Sequence, residues 1–222
     1  MISDLHIHTS FSSDSKTNPE DIINKAISSN IPYICFTDHN EFDYDDNLFI
    51  LDTASYFNTL LNLKEKYKEK INVLIGVEQG LETTKSAKIN NFLKSFPFDF
   101  IIGSSHMING IDPYYPVFFE GRSTYEAICE YFSSVLDNLD TFNNFDVYGH
   151  IDYVIRYPLV PDIDYSFEKY KEYLVPILTK IIQSGKGIEL NTGGFRSKIK
   201  ESNPSFEIIK KYRELGGEII TV

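Results

Sequence analysis

Cysteine is nearly absent from this chain: Cys35 and Cys129 are the only two in 222 residues. They give no framework spacing, which excludes a disulfide-stapled secreted fold. Cys35 sits in an apolar run, as a buried reduced thiol does. A long uncharged apolar run is also missing, so no membrane span is expected. The N-terminal stretch has neither a basic region nor a signal-type apolar core, and the cytoplasm follows as the expected address. Positive charge is scarce. Lys and Arg number 21 against 32 Asp and Glu, a formal charge of −11. That balance argues against nucleic-acid binding over a broad basic surface. No Gly-rich phosphate loop follows the first predicted strand, which weakens a nucleotide-binding reading. Low-complexity segments and repeats are lacking as well.

What is present is a globular composition, 42% apolar and 24% charged, long enough for one domain with one substantial core. Apolar β-rich runs alternate with helical stretches. "MISDLHI", "IPYICFT", "INVLIGV", "FDFIIGS", "FDVYGH", "KGIELN" and "GEIITV" read as strands. Helices are expected in "TNPEDIINKAISSN", over about residues 52–69, and in "SAKINNFLKSF". Three more are expected in "STYEAICEYFSSVLDNL", "SFEKYKEYLVPILTKIIQS" and "NPSFEIIKKYRELG". In the first helix Asn18 is placed to cap, with Pro19 at the first helical position and Glu20 and Asp21 in the first turn. Strand–helix alternation with few hairpin signals predicts an α/β fold with a parallel sheet, and about seven strands favour a closed barrel. The longest loop-like stretch is "MINGIDPYYPVFFEGRS".

All five histidines fall at or just past strand ends: His6 and His8, His39, His106 and His150. Glu78 ends the third strand in "VLIGVE". A lone histidine after a strand is ordinarily a hydrogen-bonded loop residue. Here every histidine takes the equivalent place, and parallel α/β folds collect chemistry at the carboxyl ends of their strands. Six metal-capable side chains are therefore expected at one mouth. Residues two apart on a strand share a face, so His6 and His8 can bind one ion together. Asp4 and Asp38 could orient ligands from behind, with an exposed loop carboxylate as the alternative for Asp38. Imidazoles mixed with carboxylates suit Zn, Mn or Fe and disfavour Mg or Ca alone. Six or seven ligands exceed one tetrahedral ion and predict two to three divalent ions, with Glu78 as a bridge. Asp14 in "SFSSDS" is a further ligand candidate, with a plain turn aspartate as the alternative.

Arginine number is low, four in all, and two of the four follow strands: Arg156 in "GHIDYVIRY" and Arg196 in "ELNTGGFR". Arginine is the natural fork for a phosphate, and surface ion pairing is the competing reading.

Taken in order, "DLHIHTSFSSD", "ICFTDHN", "GVEQG", "IIGSSHM", "VYGHIDYVIRY" and "ELNTGGFR" resemble the polymerase and histidinol phosphatase (PHP) superfamily. "PYYPVFFEGRS" and "NTGGFR" resemble its histidinol-phosphate phosphatase branch. The resemblance implies a distorted (β/α)7 TIM-like barrel with a trinuclear metal site. It implies that His6 and His8 bind one ion, which Glu78 bridges to a second held by His106 and His150. Asp14 and His39 would belong to a third, and Arg156 and Arg196 would hold the substrate phosphate. Glu78 and His39 would act through a metal-bound hydroxide. The implied reaction is hydrolysis of L-histidinol phosphate, a small phosphorylated cation, to L-histidinol and phosphate in histidine biosynthesis.

One departure stands out. Members of the family continue past the last strand into a motif like Gly-Ser-Asp-Ala-His, which supplies two more ligands, whereas this chain stops at "EIITV". The expectation is thus one PHP domain over residues 1–222, truncated after the seventh strand and lacking that loop and its helix, with a weakened metal site. Two functions compete with the phosphatase: a PHP phosphodiesterase or exonuclease on nucleotides, and a metal-binding module without catalysis.

Overall fold

The computed structural model describes residues 3–44, 47–157, 164–196 and 199–222. The chain divides into two compact units. One comprises Met1–Gly80, Ala87–Ile102 and Val222, the other Leu81–Ser86 and Gly103–Thr221.

In the first unit, β1 (Ser3–Ile7), β2 (Tyr33–Phe36), the two-residue β3 (His39–Asn40) and β4 (Asn72–Gly80) are parallel. β2 pairs β4 from Tyr33↔Asn72 to Phe36↔Ile75, and β3 pairs it at His39↔Glu78. The residue offset is the same in both ladders, so β3 resumes β2 after a break at Thr37 and Asp38. This corrects the single strand expected to end at His39. The break has a physical cause. Asp38 turns inward, where its carboxylate accepts from three groups of the segment after β1 (Thr9 N–H, Thr9 Oγ1 and Ser12 Oγ) at 2.6–3.1 Å.

Helix α1 (Pro19–Ser28) starts as its sequence dictates, with Asn18 Oδ1 accepting Glu20 N–H at 2.8 Å and Pro19 opening the helix. Helix α2 (Thr53–Tyr67) buries Tyr56 fully, and the Tyr56 hydroxyl bridges the Phe36 and Gly76 carbonyls at 2.9 and 3.0 Å. Those two oxygens sit on β2 and β4, so one side chain seats the helix on both strands. Helix α3 (Ser86–Ser95) contributes Phe92 to an aromatic cluster with Phe57, Phe96 and Phe98.

Strand β5 (Phe100–Ser104) belongs partly to each unit. In the second unit β6 (Val147–Tyr148), β7 (Gly187–Glu189) and β8 (Ile220–Thr221) are parallel, paired at Tyr148↔Ile188 and Glu189↔Thr221. Helix α4 (Thr124–Thr141) begins with a capping box: Ser123 Oγ accepts Glu126 N–H, and the Glu126 carboxylate accepts Ser123 N–H. It packs on α5 (Phe167–Gln183), with Phe132 against Tyr170 and Tyr173. Helix α6 (Phe206–Glu214) packs on α5 in turn. The long loop is not loose. It closes through an Ile108–Ile111 bridge and a short 3-10 turn at Pro116–Phe119 that buries Phe118 and Phe119. Cys35 is a buried thiol. No described helix is long and apolar enough to cross a membrane.

Candidate metal centre

The first unit gathers His6, His8, His39 and Glu78. The β1–β2 register shifts between Asp4 and Ile7, next to His6. Irregularities of this kind re-aim side chains beside active sites. Asp4, expected behind a ligand, accepts the His6 backbone N–H at 3.3 Å. His6 Nε2 and His8 Nε2 each lie 3.0 Å from Glu78 Oε2 and 3.0 Å from each other. His39 Nδ1 is 3.2 Å from the same carboxylate oxygen. Glu78 is only 1% exposed, and an ionised carboxylate so deep requires a positive partner.

Protons alone fit this arrangement poorly. Both Nε2 atoms would have to donate to Glu78, yet one of them would also have to accept from the other. Three ring nitrogens and a carboxylate oxygen crowded about one point instead match the donor set of a divalent ion. His8, His39 and Glu78 each offer a ligand atom within 4.8 Å of the others.

Asp14 lies beside this group. Its Oδ2 accepts from His8 Nδ1 at 3.0 Å and is 3.7 Å from His39 Nε2. Asp14 and Glu78 thus meet opposite nitrogens of the His8 ring, and a carboxylate so placed fixes ring orientation and tautomer. Burial opposes the charged form of His8, but the hydrogen bonds to Asp14 and Glu78 outweigh it and raise the pKa to about 9. Burial opposes the charge on Asp14 too, and His8 overcomes it, so the Asp14 pKa falls below its ordinary value.

One carboxylate beside the centre, Glu41, escaped the sequence reading. Glu41 is buried, with Oε1 3.7 Å from His39 Nδ1. Gly80 makes the room, because a Cβ there would collide with the Glu41 carboxylate. Asp38 is fully buried rather than an exposed loop residue. It anchors Thr9 and Ser12, and Ser12 Oγ accepts the His39 N–H at 2.8 Å. One carboxylate thus ties the segment bearing His8 and Asp14 to the strand bearing His39. Burial raises the Asp38 pKa despite those hydrogen bonds.

In the second unit His106 and His150 are buried, with Nε2 atoms 3.3 Å apart. This again turns two ring nitrogens toward one point. The exit of β5 toward His106 is braced by Ser105, which meets Tyr148 Oη at 2.6 Å and accepts from Asn138 Nδ2 at 2.8 Å. Glu189 Oε2, at the end of β7, accepts the His150 backbone N–H at 2.8 Å. Tyr153 flanks both histidine rings at centroid distances of 5.0 and 5.3 Å and donates to Asp112 Oδ1 at 3.2 Å.

Arg156 follows on a 3-10 turn (Tyr153–Arg156), and Arg196 ends another (Thr192–Arg196). They converge on Gly193. A Cβ at that position would lie 3.8 Å from a terminal nitrogen of each guanidinium. Among the described residues neither arginine forms an ion pair. Two guanidinium groups near one glycine are suited to a multiply charged oxyanion. Glu120 and Tyr114, of the long loop, are exposed.

The sequence matches the family model for the PHP domain over residues 4–193. A histidinol-phosphatase of Lactococcus lactis is 34% identical over 220 residues, covering 99% of this chain and 81% of the relative. A probable histidinol-phosphatase of Clostridium acetobutylicum is 32% identical, covering 100% and 85%. The crystal structure of the L. lactis histidinol phosphate phosphatase, complexed with zinc, L-histidinol and phosphate, aligns with a TM-score of 0.93. The alignment covers 99% of this chain and 84% of that one. A Listeria monocytogenes structure at 19% identity shares the fold, with a TM-score of 0.87. The architecture is accordingly the distorted TIM-like barrel expected from the alternation of strands and helices. By its motifs, its fold and these relatives, the chain belongs to the PHP domain family, in the histidinol-phosphatase branch.

Proposed function

We propose that this chain is a metal-dependent phosphomonoesterase that hydrolyses L-histidinol phosphate to L-histidinol and phosphate. The observation that carries the reading is the Glu78 oxygen ringed by three histidine nitrogens at 3.0–3.2 Å. The fold around it is shared with a relative crystallised with zinc, L-histidinol and phosphate. In this reading His6, His8, His39 and Glu78 hold divalent ions, Zn, Mn or Fe, and His106 and His150 supply two further ligands. Two or three ions are bound in all. Asp14 belongs to the same set through His8 and His39.

Bound ions supply Lewis acidity toward a phosphoryl oxygen and a nucleophile from water at neutral pH. The chain's own residues do the rest. Glu78 would neutralise positive charge among the three histidines, and Asp14 holds the His8 ring in place. Arg156 and Arg196 bind the phosphate through charge-assisted hydrogen bonds and spread its developing charge. Hydrolysis forms a bond from a water oxygen to phosphorus and breaks the phosphorus–ester oxygen bond. The proton lost by water balances the one gained by the histidinol alkoxide.

The test is phosphate release by metal-loaded protein, with L-histidinol phosphate compared against other phosphomonoesters and a dinucleotide. The reading expects L-histidinol phosphate to have the highest kcat/KM. A preference for the dinucleotide, or no turnover of any of them, contradicts it.

A further inference from the structure

Arg156 is held by two neutral oxygens. Its Nε donates to Asn203 Oδ1 at 2.7 Å and its Nη2 to Asn191 Oδ1 at 3.2 Å. Carboxylates are close at hand, yet each stands one amide away. Asn203 Nδ2 donates to Asp152 Oδ1 at 2.8 Å, and Asn191 Nδ2 donates to Glu189 Oε1 at 3.0 Å. Asp152 and Glu189 are buried, 0% and 1% exposed, and Asn203 is 0% exposed.

The amide orientations are forced by chemistry. A guanidinium only donates and an ionised carboxylate only accepts, so each amide must turn its oxygen to Arg156 and its nitrogen to the acid. The backbone fixes the two asparagines beside each other. Asn191 N–H donates to the Asn203 carbonyl at 2.8 Å, and Asn203 N–H returns the bond at 3.0 Å. Gly194 permits the approach, since a Cβ there would strike the Glu201 carbonyl. A direct Arg–carboxylate pair would be the ordinary outcome for these groups, and it would spend the guanidinium charge inside the protein.

We propose that Asn191 and Asn203 are positioning residues that insulate Arg156. Each interposes a neutral amide between the guanidinium and a buried carboxylate, so the charge stays available to the substrate phosphate. The proposal rests on the phosphatase reading for the identity of that substrate, but concerns any phosphate bound at Arg156.

The decisive variant is the exchange Asp152→Asn with Asn203→Asp. It keeps net charge, side-chain volume and the hydrogen bond between the two positions, because the amide installed by Asp152→Asn can donate to the carboxylate installed by Asn203→Asp. The oxygen of that new amide can still accept from Tyr165 Oη and Ser205 N–H, which in the native chain bind Asp152 Oδ2. Only the carboxylate moves, into contact with Arg156. If asparagine merely held the arginine in place, aspartate would hold it equally well and binding would not change.

The measurements are Kd for inorganic phosphate by calorimetry on metal-loaded protein, KM and kcat for L-histidinol phosphate, metal content and melting temperature. Insulation predicts Kd and KM raised at least about tenfold with metal content kept. Values within about twofold of wild type overturn it. Asn191→Asp places a carboxylate on the other guanidinium nitrogen at a half-buried site and is the second arm, should the exchange fail to fold. It must move Kd in the same direction, and unchanged phosphate affinity there also overturns the proposal. The two readings fail separately. Wild-type protein that binds phosphate but does not cleave L-histidinol phosphate sinks the substrate while the exchange still tests insulation. Normal turnover with an indifferent exchange sinks insulation alone.

Discussion

His39 and Glu78 are directly paired residues of neighbouring parallel strands, and His39 Nδ1 lies 3.2 Å from Glu78 Oε2. Parallel pairing sets side chains of partner residues next to each other on one face of the sheet. The same oxygen is 3.0 Å from His6 and His8, so Glu78 is the point on which three histidines of the first unit converge. Glu78→Gln keeps the shape and removes the charge. It should strip most bound metal and slow hydrolysis by more than the roughly 10- to 100-fold typical of an outer-shell change. Metal analysis beside the rate checks this, and near wild-type values of both would dismantle the cluster.

Arg156 and Arg196 carry no ion pair among the described residues, so truncating either leaves no buried carboxylate stranded by loss of a salt bridge. Arg156→Ala and Arg196→Ala should raise KM for L-histidinol phosphate about 10- to 100-fold, the worth of a charge-assisted bond of about 1.5–3 kcal/mol. Bound metal should stay at the wild-type level. Steady-state kinetics with metal analysis decide it, and an unchanged KM would remove both arginines from the phosphate site.

The legible part of this site was the part written in local spacing. A two-residue period puts His6 and His8 on one strand face, and the end of an apolar run locates Glu78. Asn18–Pro19 announces a helix start that the structure reproduces. The illegible part is built from partners far apart in the chain. Asp38 reaches Thr9 across 29 residues, and Asn203 reaches Asp152 across 51. Nothing near Asn203 marks it as a bridge between an arginine and an acid. Glu189 and Asn191 did carry a signal, two polar residues spaced like His6 and His8 at a strand end, but asparagine and glutamate there also read as an ordinary solvated turn. The break between β2 and β3 was hidden for the same reason. "YICFTDHN" is continuous in apolar character until Asp38 finds its donors in another segment.

Asp38 supports the centre by holding its loop. Asp38→Ala removes both acceptor oxygens and strands the Thr9 N–H and the Ser12 hydroxyl, groups buried without solvent. An unsatisfied buried donor costs about 1–3 kcal/mol, and a chain of this size loses roughly 2–4 °C per kcal/mol. Thermal denaturation should show that drop. Metal affinity should fall with it, since the loop carries His8 and Asp14. A variant that melts early yet binds metal as tightly as wild type would confine Asp38 to the fold.

Ser123 provides the opposite control. Its hydroxyl caps α4 by accepting Glu126 N–H at 3.2 Å, in a surface-exposed box. Ser123→Ala should cost about 1 kcal/mol of stability and leave kcat and KM for L-histidinol phosphate unchanged. Denaturant melts with kinetics at a temperature well below the transition separate the two effects.

The central claim is that divalent ions at this His/Glu centre make the chain a histidinol phosphatase. Its most direct test is one titration. Phosphate release from L-histidinol phosphate is followed on purified protein after exhaustive chelation, with residual metal measured, and again as Zn, Mn or Fe is added back. The account predicts no release from the stripped protein and activity returning in proportion to bound metal, saturating at two or three ions per chain. Undiminished release from protein verified free of metal would contradict it, as would metal-saturated protein that leaves L-histidinol phosphate intact.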